Sequence, residues 1–120
     1  MIRILRDLPD NVLGIEAIGK VTDDDYENIL APAIQNMRSR DKEIRIVYVL
    51  GKEFDGWTTG AAWEDTKLGL SEFRAWQKIA IVSDKDWVRH TVKAIGWMMP
   101  GDVRALDLDD LAAAKQWAAK

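Results

Sequence analysis

Ile46-Val47-Tyr48-Val49-Leu50-Gly51-Lys52-Glu53-Phe54-Asp55-Gly56-Trp57-Thr58-Thr59 is the stretch on which the fold turns. Its first five residues are apolar or aromatic without a break, as in a strand buried on both faces. Two glycines then punctuate a segment with two aromatics and two carboxylates, which reads as a loop, and Thr58 opens a helix. Strand, loop and helix form the repeating unit of parallel α/β sheets, whose ligands usually sit at the carboxyl ends of the strands. Gly51-x-x-x-x-Gly56 has the glycine spacing of a phosphate-binding P-loop. The position of its lysine holds Trp57, however, and Glu53 and Asp55 place negative charge where phosphate would lie. Nucleotide binding fails on both counts, so the glycines are read as loop formers.

Upstream, Ile2, Ile4 and Leu8 set against Arg3 and Asp7 predict a short first strand. Pro9-Asp10-Asn11 is a turn by composition, and Val12 to Ile18 predicts a second strand, so the two should form an antiparallel hairpin. Thr22 caps a helix whose first turn carries Asp23, Asp24 and Asp25, where carboxylates favour the positive end of the dipole. The triplet is read as capping acids and not as a metal site, because no spaced ligand set follows. Tyr26, Ile29, Leu30, Ala33, Ile34 and Met37 keep one face apolar, and Pro32 is expected to kink the helix.

Beyond the central strand from Ile44 to Leu50, a helix is predicted from about Thr58 to Leu70, then a buried strand from Trp76 to Val82. Ser83 or Asp84 should cap a third helix through about Gly96. Val103 to Leu106 makes a short last strand, and Asp107 caps a final helix. The expected architecture is α/β: a single domain over residues 1–120 with the order β-β-α-β-α-β-α-β-α. Its sheet should be mixed but mostly parallel, with right-handed crossovers and an antiparallel edge from the first hairpin.

The chain has 120 residues, a net charge of −3 and no cysteine. One core of ordinary size follows from that length. Lysines and arginines are dispersed without a basic stripe, so nucleic acid is not an expected partner. The absence of cysteine removes disulfides, thiol nucleophiles and thiolate metal sites together, and no cofactor is implied. The amino-terminal stretch lacks an apolar core of the signal-peptide kind, and no run nears the roughly 18 apolar residues of a membrane helix. A cytoplasmic protein without a transmembrane segment is expected.

No catalytic set emerges. His90 falls on the flank of its helix, and no nucleophile or second titrating group is placed beside it by spacing. Asp65 interrupts the apolar stripe of Ala61 and Leu68 and is read as a boundary residue. A non-enzymatic role follows.

The six tryptophans exceed what one core of this size needs. Trp76 and Trp117 are assigned to packing. Phe54, Trp57, Trp63, Trp87, Trp97 and Met98 do not fit one sheet-facing layer. The helix from Thr58 to Leu70 is apolar on two faces, and the next presents Trp87, Val88, Thr91 and Ile95. Two such helices either meet over the sheet or leave a cleft between them. The proposed lining of that cleft is Phe54, Trp57, Ala61, Trp63, Trp87, Thr91 and Ile95, with Asp65 as its polar edge.

The element order, the segment from Trp76 to Trp87 and the ending from Leu106 to Trp117 resemble the SpoIIAA-like family, a bacterial branch of the STAS-fold superfamily with a likeness to CRAL-TRIO lipid-carrier domains. The resemblance implies binding of a small nonpolar molecule between the second and third helices, in a carrier or sensor role. It also implies an alternative, a protein-interaction module of the anti-sigma-factor-antagonist type, regulated by phosphate on a hydroxyl at the start of the second helix. Thr58 and Thr59 are the hydroxyls there, but the family's Asp-Ser pair is missing from Asp55-Gly56-Trp57-Thr58-Thr59. A protein partner, or a homodimer through Trp97-Met98-Met99, belongs to this alternative.

Overall fold

The computed structural model describes residues 1–40, 43–60, 75–98 and 101–120, the side chains of Ile95 and Met98 excepted. Its five-stranded sheet contains β1 (Ile2–Leu5), β2 (Leu13–Val21), β3 (Ile44–Trp57), β4 (Trp76–Ser83) and β5 (Asp102–Leu106). They lie side by side in chain order, β1 antiparallel to β2 and every later neighbour parallel. The expected hairpin edge and parallel body are both present. Helix α1 (residues 23–40) joins β2 to β3, α2 (Asp86–Ile95) joins β4 to β5, and α3 (Leu111–Ala119) follows β5.

When neighbouring parallel strands follow one another in chain order, right-handed crossovers put their helices on one face. Accordingly α1 and α2 share a face. Tyr26, Leu30, Ile34 and Met37 of α1 and Val88 of α2 pack there with Ile15, Ile44, Ile46, Tyr48 and Leu50. The opposite face belongs to α3, whose buried Ala114 and Ala118 approach Val47, Val49, Ala80 and Val82. With both faces covered, β3 needs apolar residues at successive positions, which explains its unbroken run.

Two expectations about local structure are corrected. The segment 51–56 is not a loop, because β3 runs on to Trp57. β2 likewise extends to Val21, and the two pair at Gly19↔Phe54 and Val21↔Trp57 across register shifts. Gly19 (φ 64°) and Gly56 (φ 95°) adopt conformations that L side chains rarely take. The glycines therefore bend a continuing ladder and do not end it. Neither Ser83 nor Asp84 caps α2. Its N-cap is Lys85, without a side-chain bond, while fully buried Ser83 accepts the Lys85 N–H on its Oγ at 3.1 Å.

Around Pro32, the turn Tyr26–Leu30 is π-helical and its ladder closes from Ala31 N–H to Tyr26 O. A proline that cannot donate and that crowds the preceding turn is accommodated by widening that turn. At the other end of α1 the expected cap is present. Thr22 accepts from Asp25 N–H, and the Asp25 carboxylate accepts from Thr22 N–H, a reciprocal capping box.

Candidate functional site

Extension of β3 carries Phe54 and Trp57 to the carboxyl edge of the sheet, beside the turn from β4 into α2. There Phe54, Trp57 and Trp87 meet. Phe54 and Trp57 have ring centroids 4.8 Å apart at 67°, and Trp57 stands at 88° to Trp87 with 6.2 Å between centroids. Phe54 and Trp87 are 25° from parallel at 6.1 Å. Edge-to-face and offset arrangements of this kind satisfy the ring quadrupoles. Phe54 is 3% exposed and Trp87 50%. The cluster therefore grades from core to surface within three rings.

A polar chain lies under it. Trp57 Nε1 donates to the Tyr48 hydroxyl at 3.4 Å, and the Tyr48 and Tyr26 hydroxyls are 3.3 Å apart. Both tyrosines are buried, so their hydroxyls require partners within the protein. In the sequence pattern Tyr26 and Tyr48 stand only as apolar positions. The one mark of the pair in sequence is a tyrosine inside an otherwise aliphatic central strand.

The remaining expected site residues divide into three groups. Thr91 lies on the exposed side of α2, and its Oγ1 donates to Trp87 O at 2.7 Å within the helix. That placement corrects its assignment to the apolar stripe, where Val88, 3% exposed, is the buried member. Thr58 N–H donates to Val21 O at 2.9 Å, and Thr59 is exposed at the start of a helical turn. Ala61, Trp63 and Asp65 lie outside the described residues, as does the side chain of Ile95.

His90 is exposed on α2, and Asp86, one turn before it, pairs with Arg89. This pairing, first through the hydrogen bond to Asp86, holds the Arg89 guanidinium pKa above its usual value. Trp97 is 82% exposed and donates from Nε1 to Ala94 O at 3.1 Å. Trp76 and Trp117 pack as expected, one on each face of the sheet.

Two surface pockets are formed by other residues. One of about 390 Å³ lies between the β1–β2 turn and α1, lined in part by Leu8, Leu13 and Met37. The second, of about 190 Å³, lies beside Arg3, Glu16 and Gly51. Neither includes Phe54, Trp57 or Trp87, and among the described residues no three His, Asp or Glu groups assemble as a metal site.

The sequence profile of the SpoIIAA-like family matches residues 12–119, almost the whole chain. The chain belongs to the SpoIIAA-like family. A similar solved structure is that of an uncharacterized protein of the DUF3478 family with a SpoIIAA-like fold, from Shewanella loihica PV-4. It superposes with a TM-score of 0.78 at 27% identity, over 98% of this chain and 92% of that one. No curated protein matches. In this SpoIIAA-like domain the cluster occupies the carboxyl edge of the parallel strands, the usual place for a ligand in α/β folds. No described helix is long and apolar enough to cross a membrane.

Proposed function

We propose that this SpoIIAA-like domain is a non-enzymatic binding module, a carrier or sensor, that takes a small nonpolar molecule against Phe54, Trp57 and Trp87. One observation carries the reading. Trp87 is held against two other rings and still leaves half its surface in water at the carboxyl edge of the sheet. For a side chain of roughly 150–250 Å², covering the exposed half is worth about 2–3 kcal/mol at ~25 cal/mol/Å². A nonpolar ligand laid on that ring gains this directly, without requiring a titrating group.

Heavy-atom quenching tests the reading. Bromodecanol, a neutral probe, should quench tryptophan emission saturably, and Trp87→Ala should weaken its binding at least about fivefold. Saturable binding left unchanged by both Trp87→Ala and Trp57→Ala would place the ligand elsewhere and end the proposal.

A second reading, a protein-interaction module, has Trp97 in its favour, 82% exposed just beyond α2. Under it, Trp97→Ala abolishes association with a partner chain or a second copy in sedimentation experiments, while bromodecanol does not bind.

A further inference from the structure

We infer that the pocket between the β1–β2 turn and α1 is a second binding site, for a small anionic amphiphile: a carboxylate or phosphate head on a short aliphatic body. The site is separate from the aromatic cluster and does not depend on that reading. Phe54 and Trp57 stand at the carboxyl end of β3. The pocket instead lies where β2 begins and α1 ends, and Leu13 pairs with Ile46 near the start of β3. The two sites are at opposite ends of the sheet.

The apolar part of the pocket follows from how the edge strand is covered. Ile2 and Ile4 belong to the same face of β1, yet Ile2 is 3% exposed and Ile4 38%. Ile15, opposite Ile4 in the ladder, is fully buried. The core layer therefore closes over Ile2 and stays open at Ile4, which lines the pocket with Leu8, Leu13 and Met37. Leu8 rests on bare backbone, since a Cβ at Gly14 would meet its Cδ1 at 2.5 Å. Covering aliphatic surface of this kind favours an alkyl body. The volume of about 390 Å³ lies near the small end of ligand sites, roughly 300–1,000 Å³, so that body is short.

Two guanidinium groups set the sign of the head. Arg6, just after β1, and Arg40, the last residue of α1, line the pocket from its two walls. Arg3, Arg45 and Arg89 hold carboxylates, whereas Arg6 and Arg40 form no salt bridge among the described residues. A planar fork of N–H donors takes a carboxylate or phosphate through two bonds at once. Asn36 adds an amide, and Asp10 is the one carboxylate in the lining, so two positive groups face one negative. Asp7, on the same hairpin, pairs with Lys115. The carboxyl end of α1 contributes negative partial charge, which Arg38 and Arg40 in its last turn offset. Open aliphatic carbon beside two unpaired cations selects an amphiphile over a bare ion or a bare hydrocarbon.

Amide NMR titrations of the isotope-labelled protein with octanoate, octyl phosphate, octanol and inorganic phosphate test this at low ionic strength. At least one of the octyl anions should bind saturably and move the amides of Ile4, Leu8, Leu13 and Met37, the tighter of the two naming the head. Octanol and inorganic phosphate should each bind at least about tenfold more weakly. Added salt should weaken the anions and spare octanol. Arg6→Gln and Arg40→Gln, both at exposed positions, should each weaken the anions about threefold or more and leave octanol unchanged. Ile4→Ser should weaken anion and alcohol alike, and Trp87→Ala should alter neither.

Octanol binding as tightly as the octyl anions overturns the inference, as does anion binding that survives both arginine variants. Inorganic phosphate binding as tightly as the octyl anions overturns it too, since the site would then hold an adventitious ion only. Shifts centred on Phe54, Trp57 and Trp87, or no binding by either octyl anion, also end it. None of these results touches the reading of the aromatic cluster, which stands or falls on bromodecanol.

Discussion

Phe54→Ala tests the extension of β3 most directly. In the structure Phe54 is 3% exposed on the strand that continues past Gly51, against Trp57 and Trp87. Burying about 150–200 Å² of aromatic surface at ~25 cal/mol/Å² contributes roughly 4–5 kcal/mol. Truncation of a buried phenylalanine typically costs about 3–5 kcal/mol. Partial collapse of the two tryptophans into the space should place this case near the lower end, about 3–4 kcal/mol. Domains of this kind are stable by only about 5–15 kcal/mol, so the loss is a large share of the whole.

Urea unfolding followed by far-ultraviolet circular dichroism measures it. With a slope of about 2 kcal/mol/M, the midpoint should fall by roughly 1.5–2 M and the slope should stay constant. Were 51–57 a solvated loop, the same substitution would cost under about 1 kcal/mol. A loss that small would refute the continuous strand and the burial argument built on it.

Gly101→Ala should destabilise by more than about 3 kcal/mol, since φ is +72° and the new Cβ would stand 2.5 Å from the Trp76 carbonyl oxygen. Gly19→Ala, at φ +64° with open space around it, should cost only about 1–2 kcal/mol. Equal thermal shifts for the two variants would contradict the close approach of Gly101.

Burial alone would raise the Asp25 pKa, but hydrogen bonds from Thr22 and the charge of the amino terminus outweigh it and bring the pKa below the ordinary value. A carboxyl group with a lowered folded pKa stabilises above its unfolded pKa and loses that contribution as pH falls through the folded value. Asp25→Asn should therefore cost about 0.5–1.5 kcal/mol at pH 7 and progressively less towards pH 3. A pH-independent difference in urea stability would count against this. Lys78→Ala should cost about 1–2 kcal/mol in the same assay, through loss of the hydrogen bond to Trp117 O and of the ammonium 5.1 Å from the Trp117 ring. An effect under a few tenths would contradict both contacts.

The sheet was legible in the sequence because burial on two faces leaves a mark that periodicity detects, the unbroken run from Ile46 to Leu50. Its continuation was not. Past Leu50 only Phe54 is buried, while Lys52, Glu53 and Asp55 are exposed. Two glycines among polar residues look the same whether they end a strand or bend it. The partner that decides the matter, β2 from Gly19 to Val21, is remote in sequence.

At the site, the surplus of aromatics pointed to Phe54, Trp57 and Trp87, which the fold brings together. Helical spacing then misled at Thr91. Trp87 stands at the edge of the buried stripe and not at its centre, so one turn further along the same line leads to solvent. The hydroxyl pair of Tyr26 and Tyr48 was invisible because propensity and pattern treat tyrosine as an apolar residue.

The last carbonyls of helix α3 are held by other parts of the chain. Lys78 of β4 donates to Trp117 O, Arg45 of β3 to Ala118 O and Asn11 of the β1–β2 turn to Ala119 O. A helix of nine residues has little stability of its own, and here its weaker end is fastened at three separate points of the sheet. Fraying of α3 must break contacts with β3, β4 and the first hairpin together. The carboxyl-terminal helix and the sheet therefore open as one cooperative unit, and the α3 amides should exchange with solvent through the same opening as the central strands.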